Sequence, residues 1–171
     1  MPPAGPWIAV CGPGAGTGEG ELAEAELADA ELAEAELAGA AIAAAGAVLV
    51  CGGLGGVMEA ACRGARSRGG TTVGLLPGER RDDANGWVQL AIPTGLGEAR
   101  NALIVRAADA VVAIGGAWGT LSEIALAMRR GVPVVGVGTW QLARAGERVD
   151  GVAEAAGGAE AVELALRLLA H

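Results

Sequence analysis

Lysine, phenylalanine and tyrosine are absent from this 171-residue chain, and histidine occurs once, as His171. Each absence removes a class of chemistry. Without an internal histidine, Ser-His-Asp and Cys-His nucleophiles and histidine-rich metal sites are excluded. Without lysine there is no Schiff base and no Walker-type lysine. Without Phe or Tyr there is no evident aromatic platform for stacking single-stranded nucleic acid. Chemistry must rest on Arg, Asp, Glu, Thr, Ser and backbone groups. Cysteine is scarce. Cys11, Cys51 and Cys62 are odd in number and lack C-x-x-C pairing, which suits a reduced, cytoplasmic protein with no metal site, and Cys11 and Cys51, at the ends of expected strands, read as small buried hydrophobes. No apolar run reaches about 18 residues, so no transmembrane helix and no membrane partner are expected. The start, Met1-Pro2-Pro3-Ala4-Gly5-Pro6-Trp7, has neither the basic residues nor the apolar stretch of a secretory leader.

The charge is uneven. The formal net charge of −8 has one source, the acids Glu19, Glu21, Glu24, Glu26, Asp29, Glu31, Glu34 and Glu36. The remaining acids and the arginines cancel, leaving a neutral body without the basic footprint of a nucleic-acid binder. The acids belong to a five-residue repeat, ELAEA-ELADA-ELAEA-ELAGA, over residues 21–40. Its composition favours helix. Five steps of about 100° advance each leucine by about 140°, so the leucines spiral and form no single stripe. The part after about residue 30 is expected to pack on the sheet while the start frays or projects. An acidic partner surface is the minor reading; an expansion tolerated on a surface helix is the major one.

Short Val- and Ile-rich runs at 7–11, 47–51, 71–76, 88–92, 110–114 and 132–137 do not alternate, as strands buried on both faces should not. Helical patterns lie near 21–45, 57–67, 97–108, 120–130 and 158–170. The alternation predicts one α/β domain over 1–171. This is a Rossmann-like, doubly wound parallel sheet of about six or seven strands, with helices on both faces. Glycine-rich loops at 12–20, 52–56 and 115–119 each follow a strand and precede a helix, which brings them to the carboxyl edge where open α/β sheets bind ligands. None has the full G-x-G-x-x-G spacing of a dinucleotide site.

The strongest segment is Gly115-Gly116-Ala117-Trp118-Gly119-Thr120-Leu121-Ser122-Glu123. Glycines permit a sharp turn and close approach. The helix start beyond offers free N–H groups and a partial positive charge to a phosphate or carboxylate. Glu123, on the first turn, either satisfies the helix dipole or serves as acid, base or charge stabiliser. Arg100 has the shape for bidentate phosphate contact, against the alternative of a solvated surface arginine. Thr120 is either a phosphate ligand or a helix cap. Trp118 and Trp140 could cover a ligand, or fill core. The run Arg80-Arg81-Asp82-Asp83 reads as a solvated loop on the ligand edge.

Taken together, Gly52-Gly53-Leu54-Gly55-Gly56-Val57-Met58-Glu59-Ala60-Ala61, Arg100-Asn101 and the 115–123 segment resemble the Lonely Guy (LOG) family of the SLOG superfamily. More closely they resemble its bacterial relatives of the molybdenum-cofactor-carrier type, often mislabelled lysine decarboxylases. The resemblance covers 7–11 and about 46–170 and excludes the pentad helix. It implies a Rossmann-like homodimer or higher homo-oligomer holding a small phosphorylated, nucleotide-like ligand. LOG enzymes cleave nucleoside 5′-monophosphates to base and ribose 5-phosphate, with the signature P-G-G-x-G-T-x-x-E preceded by M-x-x-R-K. Gly115, Gly116, Gly119, Thr120, Glu123 and Arg100 match. Ile114 replaces the proline, Gly97 the methionine and Asn101 the lysine, which removes a cation from the site. The resemblance thus implies Arg100 and Glu123 as catalytic residues. Gly12, Gly53, Gly55, Gly56, Met58, Asn101, Gly115, Gly116, Gly119 and Thr120 become the ligand contacts, with no cofactor required. Three readings remain open: a phosphoribohydrolase, a non-catalytic carrier of a phosphorylated pterin with molybdenum cofactor as cargo, or a nucleotide sensor.

Overall fold

β1 (Trp7–Cys11) lies in the interior of a seven-stranded, all-parallel sheet. Its neighbours are β2 (Val48–Cys51) on one side and β5 (Ala110–Ile114) on the other. Beyond β2 come β3 (Thr71–Leu76) and the edge strand β4 (Leu90–Pro93). Beyond β5 come β6 (Val134–Val137) and β9 (Val152–Glu154). The order β4-β3-β2-β1-β5-β6-β9 reverses direction between β1 and β5, which opens a crevice at their carboxyl ends. This computed structural model describes residues 5–15 and 23–171. The glycines of the first loop beyond residue 15, and the expected helix start at 21–22, lie outside the described residues.

The expected doubly wound α/β fold is present. α1 (Ala23–Ala44), α2 (Val57–Ser67) and α5 (Gly158–Leu169) cover one face. α3 (Asn101–Ala107) and α4 (Trp118–Arg130) cover the other. Strand side chains therefore feed two apolar layers, Ile8, Leu49, Val112 and Ile114 into one and Ala9, Val50, Val111 and Ala113 into the other. Burial of each larger aliphatic contributes about 1.5–3 kcal/mol. This double burial is why the strands read as unbroken apolar runs. All three cysteines are free and buried, and the Cys51 and Cys62 sulfurs lie 3.6 Å apart.

Several boundaries differ from expectation. The strand expected at 88–92 is Leu90–Pro93, and that expected at 132–137 starts at Val134. The helix expected at 97–108 opens as a 3-10 turn, Gly97–Arg100, before α3. α4 begins two residues earlier than expected, so Trp118 and Gly119 are its first residues. The seventh strand, β9, has no sequence signal. Nor does the small antiparallel hairpin of β7 (Ala143–Arg144) and β8 (Glu147–Arg148) that precedes it.

The pentad helix packs chiefly through its small residues and Ile42, with Leu32 half-buried against the same layer. Ala35, Ala38, Gly39 and Ile42 are buried, at the i, i+3, i+4, i+7 spacing of a helix face, while Leu37 is exposed. The face is made of small side chains because its neighbours come close. A Cβ on Gly39 would strike the Ala61 carbonyl of α2. One on Gly64 would strike the Glu36 carbonyl, and one on Gly158 of α5 the Glu34 carbonyl. The acids on the flanks also have partners. Glu36 pairs with Arg63 at 2.8 Å. A carboxylate oxygen of Glu34 accepts the Gly158 N–H at 2.6 Å, capping α5 where Gly157 has no side chain to do so.

Candidate functional site

The crevice is built where β5 turns into α4. Gly115 adopts φ +64°, a conformation that L side chains avoid, and its N–H donates to the Val137 carbonyl at 3.0 Å. The chain then extends through Ala117 and enters α4 at Trp118. Ala117 carries no capping side chain. Among the described residues, the N–H groups of Trp118, Gly119 and Thr120 have no acceptor. Gly116 and Gly119 are exposed above them. α4 has 13 residues, and a bare helix N-terminus of this kind carries the free donors and partial positive charge that suit an anion. Thr120 does not face that opening. It is 2% exposed, and its hydroxyl accepts the Ala117 N–H at 3.4 Å, so it holds the turn from within. The groups left facing the opening are the backbone donors.

Two charged side chains are buried under this cradle, Arg100 and Glu123. Arg100 is not a solvated surface arginine. Its Nη1 donates to the carbonyls of Gly52 and Leu75, joining the ends of β2 and β3, and its Nε donates to Asn101 Oδ1 at 3.0 Å. Nη2 makes no hydrogen bond to the described residues. A Cβ on Gly52 would lie 2.6 Å from Nη1, so that glycine makes room for the guanidinium. Burial lowers the arginine's pKa, and the nearby Glu123 charge opposes that. Burial also raises the Glu123 carboxyl to about 7, while the Cys11 thiol and Arg100 pull it down. At neutral pH this acid is poised between its two forms, as a proton donor or acceptor must be.

Asn101 has a task that lysine could not perform. It accepts from Arg100 and donates through Nδ2 to Ser122 Oγ at 3.1 Å; a lysine has no acceptor. Ser122 in turn donates to the Gly119 carbonyl at 2.7 Å. The asparagine therefore links the start of α3 to that of α4.

The other glycines close the floor of the crevice. A Cβ on Gly12 would meet Val57 at 2.5 Å and the Ile114 carbonyl at 2.6 Å. Gly53 and Gly56 have positive φ, and Gly55 faces Ala15 of the first loop. The Pro13 carbonyl accepts the Val57 N–H at 3.0 Å, so this loop rests on the start of α2. Met58 is buried, with its sulfur against Gly52. Arg80–Asp83 is exposed, as expected of a solvated loop.

Two features had no clear sequence signal, and a third brings together the two tryptophans that the sequence singled out. Asn85 clamps the glycine loop after β2 by donating to the carbonyls of Gly53 and Leu54. The Glu31 carboxylate abuts Gly115, at the edge of the anion cradle. Trp118 stands 73% exposed beside Trp140, with ring centroids 5.2 Å apart.

Residues 6–162 match the family model described as SLOG cluster4. The chain belongs to the SLOG cluster4 family. This SLOG chain is similar over 96% of its length to the molybdenum cofactor binding protein of Rippkaea orientalis. The two share 32% identity at a TM-score of 0.79, and 98% of that chain is covered. It is similar over 97% of its length to the molybdenum cofactor carrier protein of Chlamydomonas reinhardtii, at 36% identity and a TM-score of 0.78, with 99% of that chain covered. A protein of Archaeoglobus fulgidus described as uncharacterized is 49% identical over 86 residues. That segment is 50% of this SLOG chain and 56% of the archaeal protein.

Proposed function

We propose that this protein binds a small phosphorylated ligand at the β5–α4 turn and carries it without turning it over, a phosphorylated pterin of the molybdenum-cofactor type being the cargo. The observation that carries this reading is the similarity along almost the whole chain to proteins described as binding or carrying that cofactor. The geometry agrees with it. Bare N–H groups of α4 suit a phosphate. The groups able to move protons or stabilise charge, Arg100 and Glu123, are buried beneath the cradle, and three of the arginine's five N–H donors, or all those on Nε and Nη1, are turned to protein oxygens. The test is reconstitution. Purified protein is mixed with the cofactor, passed through a desalting column, and assayed for retained molybdenum and pterin fluorescence. Stoichiometric retention supports carriage; passage of all cofactor through the column refutes it.

One observation favours a second reading, N-glycosidic hydrolysis of a nucleoside 5′-monophosphate. Glu123, held near pH 7, sits one turn from the cradle and could stabilise a developing oxocarbenium ion or position water. Chromatography of a panel of nucleoside 5′-monophosphates tests it, with base and ribose 5-phosphate as the products. Release that disappears in Glu123→Gln would install this reading in place of carriage.

The expected homodimer is part of the proposal. Trp87, Leu90, Ile92 and Leu96 are exposed on and beside β4, an edge strand that leaves backbone groups and apolar side chains in water. A second copy covers them. Light scattering of wild type against Leu90→Glu tests this, the variant being monomeric. Among the described residues no helix is long and apolar enough to cross a membrane, and the buried free thiols suit a reducing, cytoplasmic setting.

A further inference from the structure

Among the described residues, Glu31 is the one half-buried acid of α1 whose carboxylate is left idle. Glu34 and Glu36 are tied to α5 and α2. Glu31 makes no hydrogen bond or ion pair with the described residues. It nevertheless lies on the face that docks the helix. Glu31, Ala35, Ala38 and Ile42 follow one another at i, i+4, i+7 and i+11, and the last three are fully buried. The packing that fixes α1 therefore fixes Glu31, one turn nearer the helix start. There its carboxylate stands over Gly115, and a Cβ on that glycine would strike both oxygens. Neither oxygen is sealed off. Thr139 Oγ1 is the only side-chain oxygen or nitrogen among the described residues that is buried without a partner. The Glu31 oxygens, also without a partner, therefore keep contact with water. Burial of the side chain raises the carboxyl's pKa, and no protein donor offsets it. A carboxylate in this state gains most from a donor that something else brings.

Place and chemistry narrow that partner. Gly115 and Trp118 are three residues apart, at most about 11 Å between Cα atoms. The carboxylate over Gly115 and the bare N–H groups of α4 thus lie within the span of one small molecule. The two ends ask for opposite things, an anion at α4 and hydrogen-bond donors at Glu31. A lone carboxylate is a poor cage for a metal ion. It is the natural mate of two parallel N–H donors, as in its pairing with an arginine fork. Among the described residues no arginine pairs with Glu31.

We propose that Glu31 selects the ligand of this crevice, a phosphorylated heterocycle whose ring edge offers two parallel N–H groups, as a 2-amino-4-oxopyrimidine ring does. The carboxylate accepts both N–H groups while the phosphate lies on α4. The same negative charge repels a phosphate compound that brings no such donors. The inference rests on the phosphate-cradle reading and adds to it the residue that reads the ring.

Three probes test it. Guanosine 5′-monophosphate presents that ring edge, inosine 5′-monophosphate lacks only its 2-amino group, and ribose 5-phosphate lacks the ring. Calorimetry measures each on the full chain, wild type and Glu31→Gln, with a chelator present and again with magnesium. The glutamine removes no hydrogen bond to the described residues, so the variant folds, and circular dichroism checks that it does. Wild type binds the guanosine nucleotide about tenfold more tightly than the inosine nucleotide. The substitution closes that gap by weakening the guanosine nucleotide about tenfold, while it tightens ribose 5-phosphate. Opposite signs in one variant are what a merely structural role does not produce. A wild type without the preference, a preference that survives in the variant, or a change of one sign for all three probes overturns the selector and leaves the cradle standing. Weaker ribose 5-phosphate binding in the variant assigns Glu31 to the sugar hydroxyls, and binding that requires magnesium assigns it to a bridging cation; either result also overturns the proposal. Failure of wild type to bind any probe overturns the cradle, and the selector with it.

Discussion

Replacing Glu123 by glutamine removes a buried charge with little change of shape, and the consequence has a definite pH dependence. The carboxyl titrates near 7 in the folded protein against an ordinary value of 4.5. An acid raised in this way holds its proton more tightly when folded. Below about pH 4.5 both states are protonated and the full stability is present. As pH rises through about 7 the folded state must ionise a buried group, and that stability is lost. The difference of about 2.5 units, at 1.36 kcal/mol each, amounts to about 3 kcal/mol at alkaline pH. Glutamine cannot ionise, and like the protonated acid it forgoes the attraction of Arg100, so the comparison isolates the charge. Thermal unfolding of wild type and Glu123→Gln between pH 4 and 9 measures it. For a chain of 171 residues, the midpoint of the variant rises above wild type by roughly 6–12 °C at pH 8.5, and the gap closes below pH 5. A gap of constant size across that range would refute the argument, since burial without a raised pKa carries no pH dependence. The same reasoning makes phosphate bind more weakly to wild type than to the variant at pH 8, a gap that narrows as pH falls to 6, while the phosphate's own ionisation at about pH 6 acts on both alike.

Arg100→Met leaves the carbonyls of Gly52 and Leu75 without their donor and lowers stability by about 2–4 kcal/mol, read by denaturant unfolding with no ligand present. A purely ligand-facing arginine would leave unfolding unchanged. Glu34→Ala removes the cap of α5 and costs about 1 kcal/mol in the same assay, an effect that the same change at the exposed Asp29 of α1 does not reproduce. Glu31→Gln removes a negative charge against Gly115 and strengthens binding of ribose 5-phosphate about two- to fivefold at low salt, as expected for a charge near a helix terminus. The gain shrinks at high ionic strength.

Much of the fold was legible because its signals are local. A strand buried on both faces is an apolar run wherever it occurs, and glycine at a strand-to-helix turn marks a conformation other residues avoid, as Gly115 does at φ +64°. β9 was not legible. Its three residues are only partly buried, and they become a strand because β6 offers an open edge. The pentad helix misled for a related reason. Leucine spacing implied no stripe, whereas alanine and glycine made one, since α2 and α5 approach too closely for larger side chains. Gly39 and Gly64 hint at such contact, but nothing in the chain says which helix faces which.

The division is sharpest at the site. The amino-acid sequence by itself determined the glycine turn, a helix start just beyond it, the absence of histidine and lysine chemistry, and the nearness of Glu123 to that start, because each depends on residues within a few positions of one another. Tertiary structure alone decided that Arg100 is spent on two carbonyls 48 and 25 residues away. It also decided that Asn101 joins two helices, that Glu123 titrates near 7 and that Thr139 is left without a partner. Hydrogen-bond partners and desolvation are set by whatever the folded chain brings within a few ångströms, and no local pattern of residues encodes that distance.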